Sequence, residues 1–252
     1  MGGRNCGFLM EKGKDRMKIR CIWEHNGGDS LLYAADFMGA FTRGADKEAA
    51  VGKMGREIRT YLRWKGEAAP EAFEIEIVQE TASELNICDA DSDVIFDGET
   101  ALLDRKTYDE LKALALKSAR DFQTLYDAIP DKNRSCVLPR RTFYGQVPRT
   151  AEEMYQHTKN VNSYYFGEVG VEADSDGTIV DCRERGFAQL EKQIAFPCGA
   201  VIDGSYGEKW SVRKVLRRFV WHDRIHAKAM YRMAKKTFGE GAIPDVFGFE
   251  TE

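Results

Sequence analysis

The segment WSVRKVLRRFVWHDRIHAKAMYRMAKKTFG, residues 210–239, constrains the chain most, because its seam positions recur at helical spacing. Val215, Phe219, His222, His226, Ala229 and Met233 follow one another at intervals of 4, 3, 4, 3 and 4, which is one face of a long helix. Lys235, Lys236 and Gly239 suit its C-terminus, since cations complement the helix dipole and glycine turns the chain out. Such a face has to be buried, so the helix needs partners. Two of its positions hold histidine where leucine is expected, and polar atoms there are costly unless something engages them.

Three amphipathic segments precede it. TYDELKALALKSARDFQTLYDAI carries Leu111, Leu114, Ser118, Phe122, Leu125 and Ile129 at helical spacing. PRTAEEMYQHTKNVNSYYFGEV opens with Thr150 as N-cap and Glu153 three residues on, the pattern of a capping box. Its inward stripe is Met154, His157, Val161 and Tyr164 or Tyr165. DGTIVDCRERGFAQLEKQI turns Ile179, Cys182, Leu190 and Ile194 to the same core. Residues 105–252 are therefore expected to form an all-α four-helix bundle.

The first hundred residues read differently. MKIRCIW alternates, with Ile19, Cys21 and Trp23 on one face; HNGGD is a turn, LLYAADF returns, and GAFTRG predicts a third short strand. Asp46 opens a helix whose stripe is Ala50, Met54, Ile58, Tyr61 and Leu62, with Gly66 as its stop. FEIEIVQE, from Phe73, alternates again. The acidic, weakly patterned stretch ASELNICDADSDVIFDGET completes residues 17–104 as a small α+β domain, so the expected fold class is α+β. Residues 1–16, rich in Gly and Lys, are expected to be a disordered extension. EKGKDR can be encoded almost wholly by purines, as a ribosome-binding site would be, so Met17 is expected to be the start.

Charge and composition narrow the function. A net charge of -4 argues against a general nucleic-acid or anionic-membrane binder. No apolar run approaches the roughly 20 residues needed to span a bilayer. The first residues lack the apolar core of a secretory signal. The six cysteines form no C-x-x-C pair, so they read as reduced thiols of a cytoplasmic protein.

The histidines carry the chemistry. His222 and His226, at i and i+4, point the same way and can chelate one ion, and His157 is in phase on a separate helix. A lone H-x-x-x-H is as compatible with packing; the third histidine favours a metal. Three neutral imidazoles leave a position for water or substrate, and Zn, Ni, Fe or Mn would each accept them. His25 falls in the hairpin turn and stands apart. Glu153, one turn before His157, is the candidate base or hydrogen-bond partner, although the capping box is its favoured role. Asp223 flanks the seam and is expected to be a solvated carboxylate. Arg213, Lys214, Arg217 and Arg218 are expected to be a solvated basic face, an anionic substrate being the alternative. Tyr164, Tyr165, Tyr206 and Trp210 are expected in the core or as pocket walls.

VRKVLRRFVWHDRIHAKAM and VPRTAEEMYQHTKNVNSYY, with His157 in phase with His222 and His226, resemble the DinB-like superfamily over about residues 105–240. That resemblance implies a three-histidine metal site at these positions. It also implies a divalent-metal-dependent transferase or isomerase using a low-molecular-weight thiol such as bacillithiol or mycothiol on a small-molecule substrate. GAFTRGADKEAAVGKMGREIRTYLRW, within residues 17–80, resembles a HicB-like domain, which implies a protein partner or self-association. No helix-turn-helix or ribbon-helix-helix segment accompanies it, so DNA binding is not expected. The expected function is thus a metal-dependent, thiol S-transferase-like enzyme. The alternative is a non-enzymatic, antitoxin-like interaction protein whose metal is structural.

Overall fold

The computed structural model describes residues 16–142 and 144–250. The expected extension, and with it the reading of Met17 as the start, lies outside them except for Arg16. That residue already pairs with Ala72 in the first strand. Strand β1 (Arg16–His25) runs antiparallel to β2 (Ser30–Ala34), which runs antiparallel to β3 (Phe41–Gly44). Strand β4 (Ala72–Ala82) lies parallel to β1, giving the order β3-β2-β1-β4. A parallel return needs a crossover, and helix α1 (Lys47–Lys65) supplies it. Asp46 caps α1 by accepting the Ala49 N–H at 2.8 Å, and Gly66 ends it at φ 74°. Val78 of β4 has no partner on β1, since Cys21 pairs with Ile77 and Ile22 with Gln79. It is the extra residue of a bulge.

Alternation buries both faces of this sheet. Ile19, Cys21 and Leu32 pack with Ala50, Met54 and Ile58 of α1. Ile22, Leu31, Tyr33 and Phe41 pack on the other side with Ile87, Val94 and Phe96 of the acidic stretch. That stretch has two 3-10 turns, Ile87–Asp89 and Asp97–Glu99, and works as a strap between the sheet and the helices. Trp221, from the last helix, completes the same cluster.

Helices α2 (Arg105–Asp127), α3 (Ala151–Gly167), α4 (Ile179–Gln193) and α5 (Val212–Phe238) pack in the cyclic order α2-α5-α3-α4. Phe122, Phe166, Phe187 and Phe219 are fully buried in their core. Two short hairpins lie between helices: β5 (Arg141–Thr142) with β6 (Gly145–Gln146), and β7 (Ile202–Asp203) with β8 (Lys209–Trp210). Among the described residues no helix is long and apolar enough to cross a membrane.

Helix α5 departs from the expectation of one buried seam. It is clamped between the other helices on one side and the sheet with its strap on the other, so Lys214, Arg217, Arg218, Asp223 and Arg224 are covered. Lys214 Nζ donates to the carbonyls of Asp93 (2.6 Å) and Lys209 (2.7 Å) and pairs with Glu208 at 2.9 Å. Arg217 pairs with Glu99 and donates to the Val94 carbonyl at 2.9 Å, and Arg218 donates to the Ser92 carbonyl at 2.8 Å. Arg224 reaches Glu57 of α1 at 2.8 Å. Of the expected solvated basic face, Lys214, Arg217 and Arg218 are in fact an internal seam, tolerated because strap carbonyls and acids engage them, whereas Arg213 stays half-exposed and donates to the Leu102 carbonyl at 2.9 Å. Asp223 is likewise fully buried, not solvated, and is held by Arg183 of α4.

Candidate metal centre

The local sequence sets each histidine in place. Thr150 Oγ1 accepts from the Glu153 N–H while Glu153 Oε2 accepts from the N–H groups of Thr150 and Arg149, fixing where α3 begins. The buried stripe of α3 is rotated from the expected one. It runs through Ala151, Met154, Tyr155, Thr158, Asn162, Tyr165 and Phe166. Thr158 satisfies its hydroxyl on the Met154 carbonyl at 2.8 Å, and Asn162 donates to the carbonyls of Asp174 (2.7 Å) and Cys182 (3.1 Å). Because the Thr158 hydroxyl and the Asn162 amide N–H groups find carbonyls inside, His157 sits on the flank of the stripe and is half-buried. On α5, His222 is buried and His226 half-buried.

The three rings meet. Ring centres lie 5.1 Å apart for His157 and His222, 4.7 Å for His157 and His226, and 4.5 Å for His222 and His226. One nitrogen from each lies within 4.8 Å of the others. Nitrogens bound to a tetrahedral ion at about 2.0–2.1 Å stand roughly 3.3 Å apart, so the rings would draw closer to hold one. His222 Nδ1 is buried with no hydrogen-bond partner. An orphaned ring nitrogen on a histidine that adjoins two other imidazoles fits a cation site, where a bound cation would satisfy it.

The electrostatics keep the set ready to ligate. Burial pushes the pKa of His157 below the ordinary value, and pushes His222 well below it, with the charges of His226 and His157 adding to the effect. Burial first, and then the charges of His157 and Arg43, bring His226 down to about 3. All three are therefore neutral at pH 7, the form that binds metal. The Tyr165 ring stands edge-on to His222 at 6.1 Å and walls the inner side.

Other expected candidates fall elsewhere. Glu153 is exposed and occupied by the helix cap, and it is not a member of the cluster. His25 ends β1, stacks on Trp23 at 4.0 Å and lies 3.3 Å from Glu80. Trp210 is buried beside Tyr165, Tyr164 is partly exposed, and Tyr206 is 99% exposed, so it walls nothing. Cys182 packs inside as a small apolar group, and the five described cysteines are free. Sequence reading missed Arg43, whose charge bears on His226 from β3; its alternation with Phe41 in GAFTRG was the available signal. Comparison with known proteins finds no counterpart: no protein-family model matches the chain, and no match is found among curated proteins or solved structures.

Proposed function

We propose that this protein is a metal-dependent enzyme of the cytoplasm, acting on small molecules as a DinB-like thiol S-transferase does, with its ion on His157, His222 and His226. The observation that carries the reading is the convergence of three neutral imidazoles from α3 and α5 with no acid in the cluster. A divalent transition ion bound there supplies Lewis acidity, lowering the pKa of a thiol or water so that a nucleophile is available at neutral pH. The chain's part is to hold the imidazoles unprotonated, to seal the inner side with Tyr165, and to leave His157 and His226 half-exposed for an incoming molecule. The sheet module, HicB-like in its sequence, is read as a contact surface for a protein partner or a second copy, through its edges β3 and β4.

Elemental analysis of the untagged protein, followed by conjugation of bacillithiol, mycothiol or cysteine to a chromogenic aryl halide, tests this. One ion per chain with chelator-sensitive conjugation supports the enzyme. One ion per chain without conjugation of any of the three moves the protein to the structural-metal alternative. Protein that neither carries nor takes up an ion overturns both.

A further inference from the structure

The sheet packs against the side of α5 that adjoins the histidine centre. Strand β3 is an edge strand, and alternation places Phe41 and Arg43 on its same face. Phe41 is laid against α5: its ring lies 6.0 Å from that of Trp221, and Lys228 Nζ sits 5.4 Å from its centre. Ile225 joins the same cluster. Along α5, His222 follows Trp221 and His226 follows Ile225, each about 100° further round the helix. The sheet-facing line and the histidine line are thus adjacent, and Arg43 stands next to Phe41 on the strand that borders them.

Arg43 is half-buried, and none of the described residues gives it a salt bridge. Its Nη1 donates to the Cys88 carbonyl at 3.2 Å. Asp89, whose charge bears on it, is taken by Arg140 at 2.8 Å. Among the described residues the histidine cluster holds no carboxylate either. Three neutral imidazoles around a divalent ion leave two positive charges uncompensated, and Arg43 adds a third. A half-covered site of that charge selects an anion, and the planar guanidinium matches a carboxylate better than a point cation would.

We propose that Arg43 anchors the carboxylate of a small thiol acid whose sulfur occupies the open position at the histidine-held ion, so that the N-terminal sheet module contributes the specificity residue of the centre. This rests on the metal-dependent reading above. On binding, the S–H proton passes to solvent and the sulfur is held as thiolate. No bond in the protein is made or broken.

The test uses the full chain loaded with Co(II) and follows the thiolate-to-cobalt absorption band during titration with 3-mercaptopropionate or with uncharged 2-mercaptoethanol. Wild type should bind the acid about ten-fold more tightly than the alcohol, the size of one charge-assisted hydrogen-bonded contact. Arg43→Gln should lose that preference while it still takes up cobalt and still gives the band with 2-mercaptoethanol. Arg43→Lys, which keeps the charge without the fork, should keep part of it. Propionate should compete with 3-mercaptopropionate on wild type, a measurement that stands even if Arg43→Gln fails to fold. Bands with both thiols but no preference in wild type, or a preference kept by Arg43→Gln, would overturn the role of Arg43 and leave the thiol reading in place. No band with either thiol would sink the two together.

Discussion

Arg183 of α4 grips Asp223 of α5 with both arms of its fork, Nη1 to Oδ2 at 2.5 Å and Nη2 to Oδ1 at 3.1 Å, and neither side chain is reached by solvent. The guanidinium also lies 4.2 Å from the centre of the Phe219 ring. Asp223 is the neighbour of His222, so this pair fixes the rotation of α5 against α4 and with it the direction in which the histidine seam faces. Two desolvated charges offset much of their own attraction, so the pair orients the helix more than it stabilises it.

Breaking the pair by halves should be severe. Asp223→Ala leaves a buried guanidinium without its partner and should cost about 3–5 kcal/mol. Replacing both partners with apolar residues of similar volume, Arg183→Met with Asp223→Leu, should cost far less than the sum of the single changes. Urea denaturation of the four proteins in a double-mutant cycle reads the coupling. Additive losses would mean the two charges do not depend on each other, contrary to the geometry.

Metal uptake should follow the cluster and ignore the fourth histidine. His226→Ala removes one ligand and half of the i, i+4 chelate, so affinity should fall by more than the roughly 10–100-fold typical of losing only a ligand's hydrogen-bond partner. His25→Ala removes a ring stacked on Trp23 in the sheet and should leave uptake unchanged. Titration calorimetry of the metal-free chain with Zn and with Ni compares them. Stability should rise with occupancy in wild type, since the ion binds the folded chain. Equal uptake by wild type and His226→Ala would reduce the three histidines to packing.

Periodicity made much of this arrangement legible. Helical spacing put His157, His222 and His226 toward one core, and the caps at Asp46, Gly66 and Thr150 are where side-chain chemistry placed them. What escaped was whatever depends on a second surface arriving. Ile87, Val94 and Phe96 have no common period, so nothing local marks the acidic stretch as a strap, and it is buried only because the sheet and α5 offer apolar faces to it. Asp223 and Arg217 read as solvent-facing because a one-sided helix would expose them. Helix α5 is covered on both sides, and the partners that make burial tolerable, Arg183 and Glu99, come from distant segments. The rotation of α3 that half-exposes His157 has the same origin, since Asn162 is acceptable inside only where the carbonyls of Asp174 and Cys182 meet it.

The depressed histidine values give a pH dependence with a definite sign. In the unfolded chain a histidine titrates near 6.5, whereas the folded values lie lower, about 3 for His226. Between these limits the unfolded chain binds more protons, so the metal-free protein is fully stabilised above about 6.5 and loses stability as pH falls. Glu57 follows the same sign: burial would raise it, but Lys228 and Arg224 outweigh that and hold it low, so its effect begins only below about 4.3. Because His226 stays unprotonated well below pH 6, loss of Zn uptake on acidification should set in only below about pH 6.5. Denaturation of metal-free protein should show a slope between about pH 6.5 and 5 that is shallower in His226→Ala. Half-loss of uptake already near 6.5 would mean the imidazoles are not shielded.

Two helical glycines should respond to alanine in opposite directions. A Cβ on Gly186 of α4 would lie 2.1 Å from Phe166 Cε2, and that ring cannot retreat because it packs on Phe187 at 5.2 Å and Phe219 at 5.1 Å. Overpacking of this kind costs about 1–3 kcal/mol, which exceeds the gain of up to about 1 kcal/mol that alanine brings to a helix interior. Gly186→Ala should therefore destabilise the fold and push α4 away from α3, the helix that carries His157. Gly52 of α1 is exposed, and a Cβ there meets nothing within 4 Å. Gly52→Ala should keep the propensity gain and raise the melting temperature by a few degrees, roughly 2–4 °C per kcal/mol for a chain of this size. Thermal melts of both variants in the metal-free state check the pair. A Gly186→Ala protein as stable as wild type would show that the α3–α4 contact has slack, and the placement of His157 would then owe nothing to it.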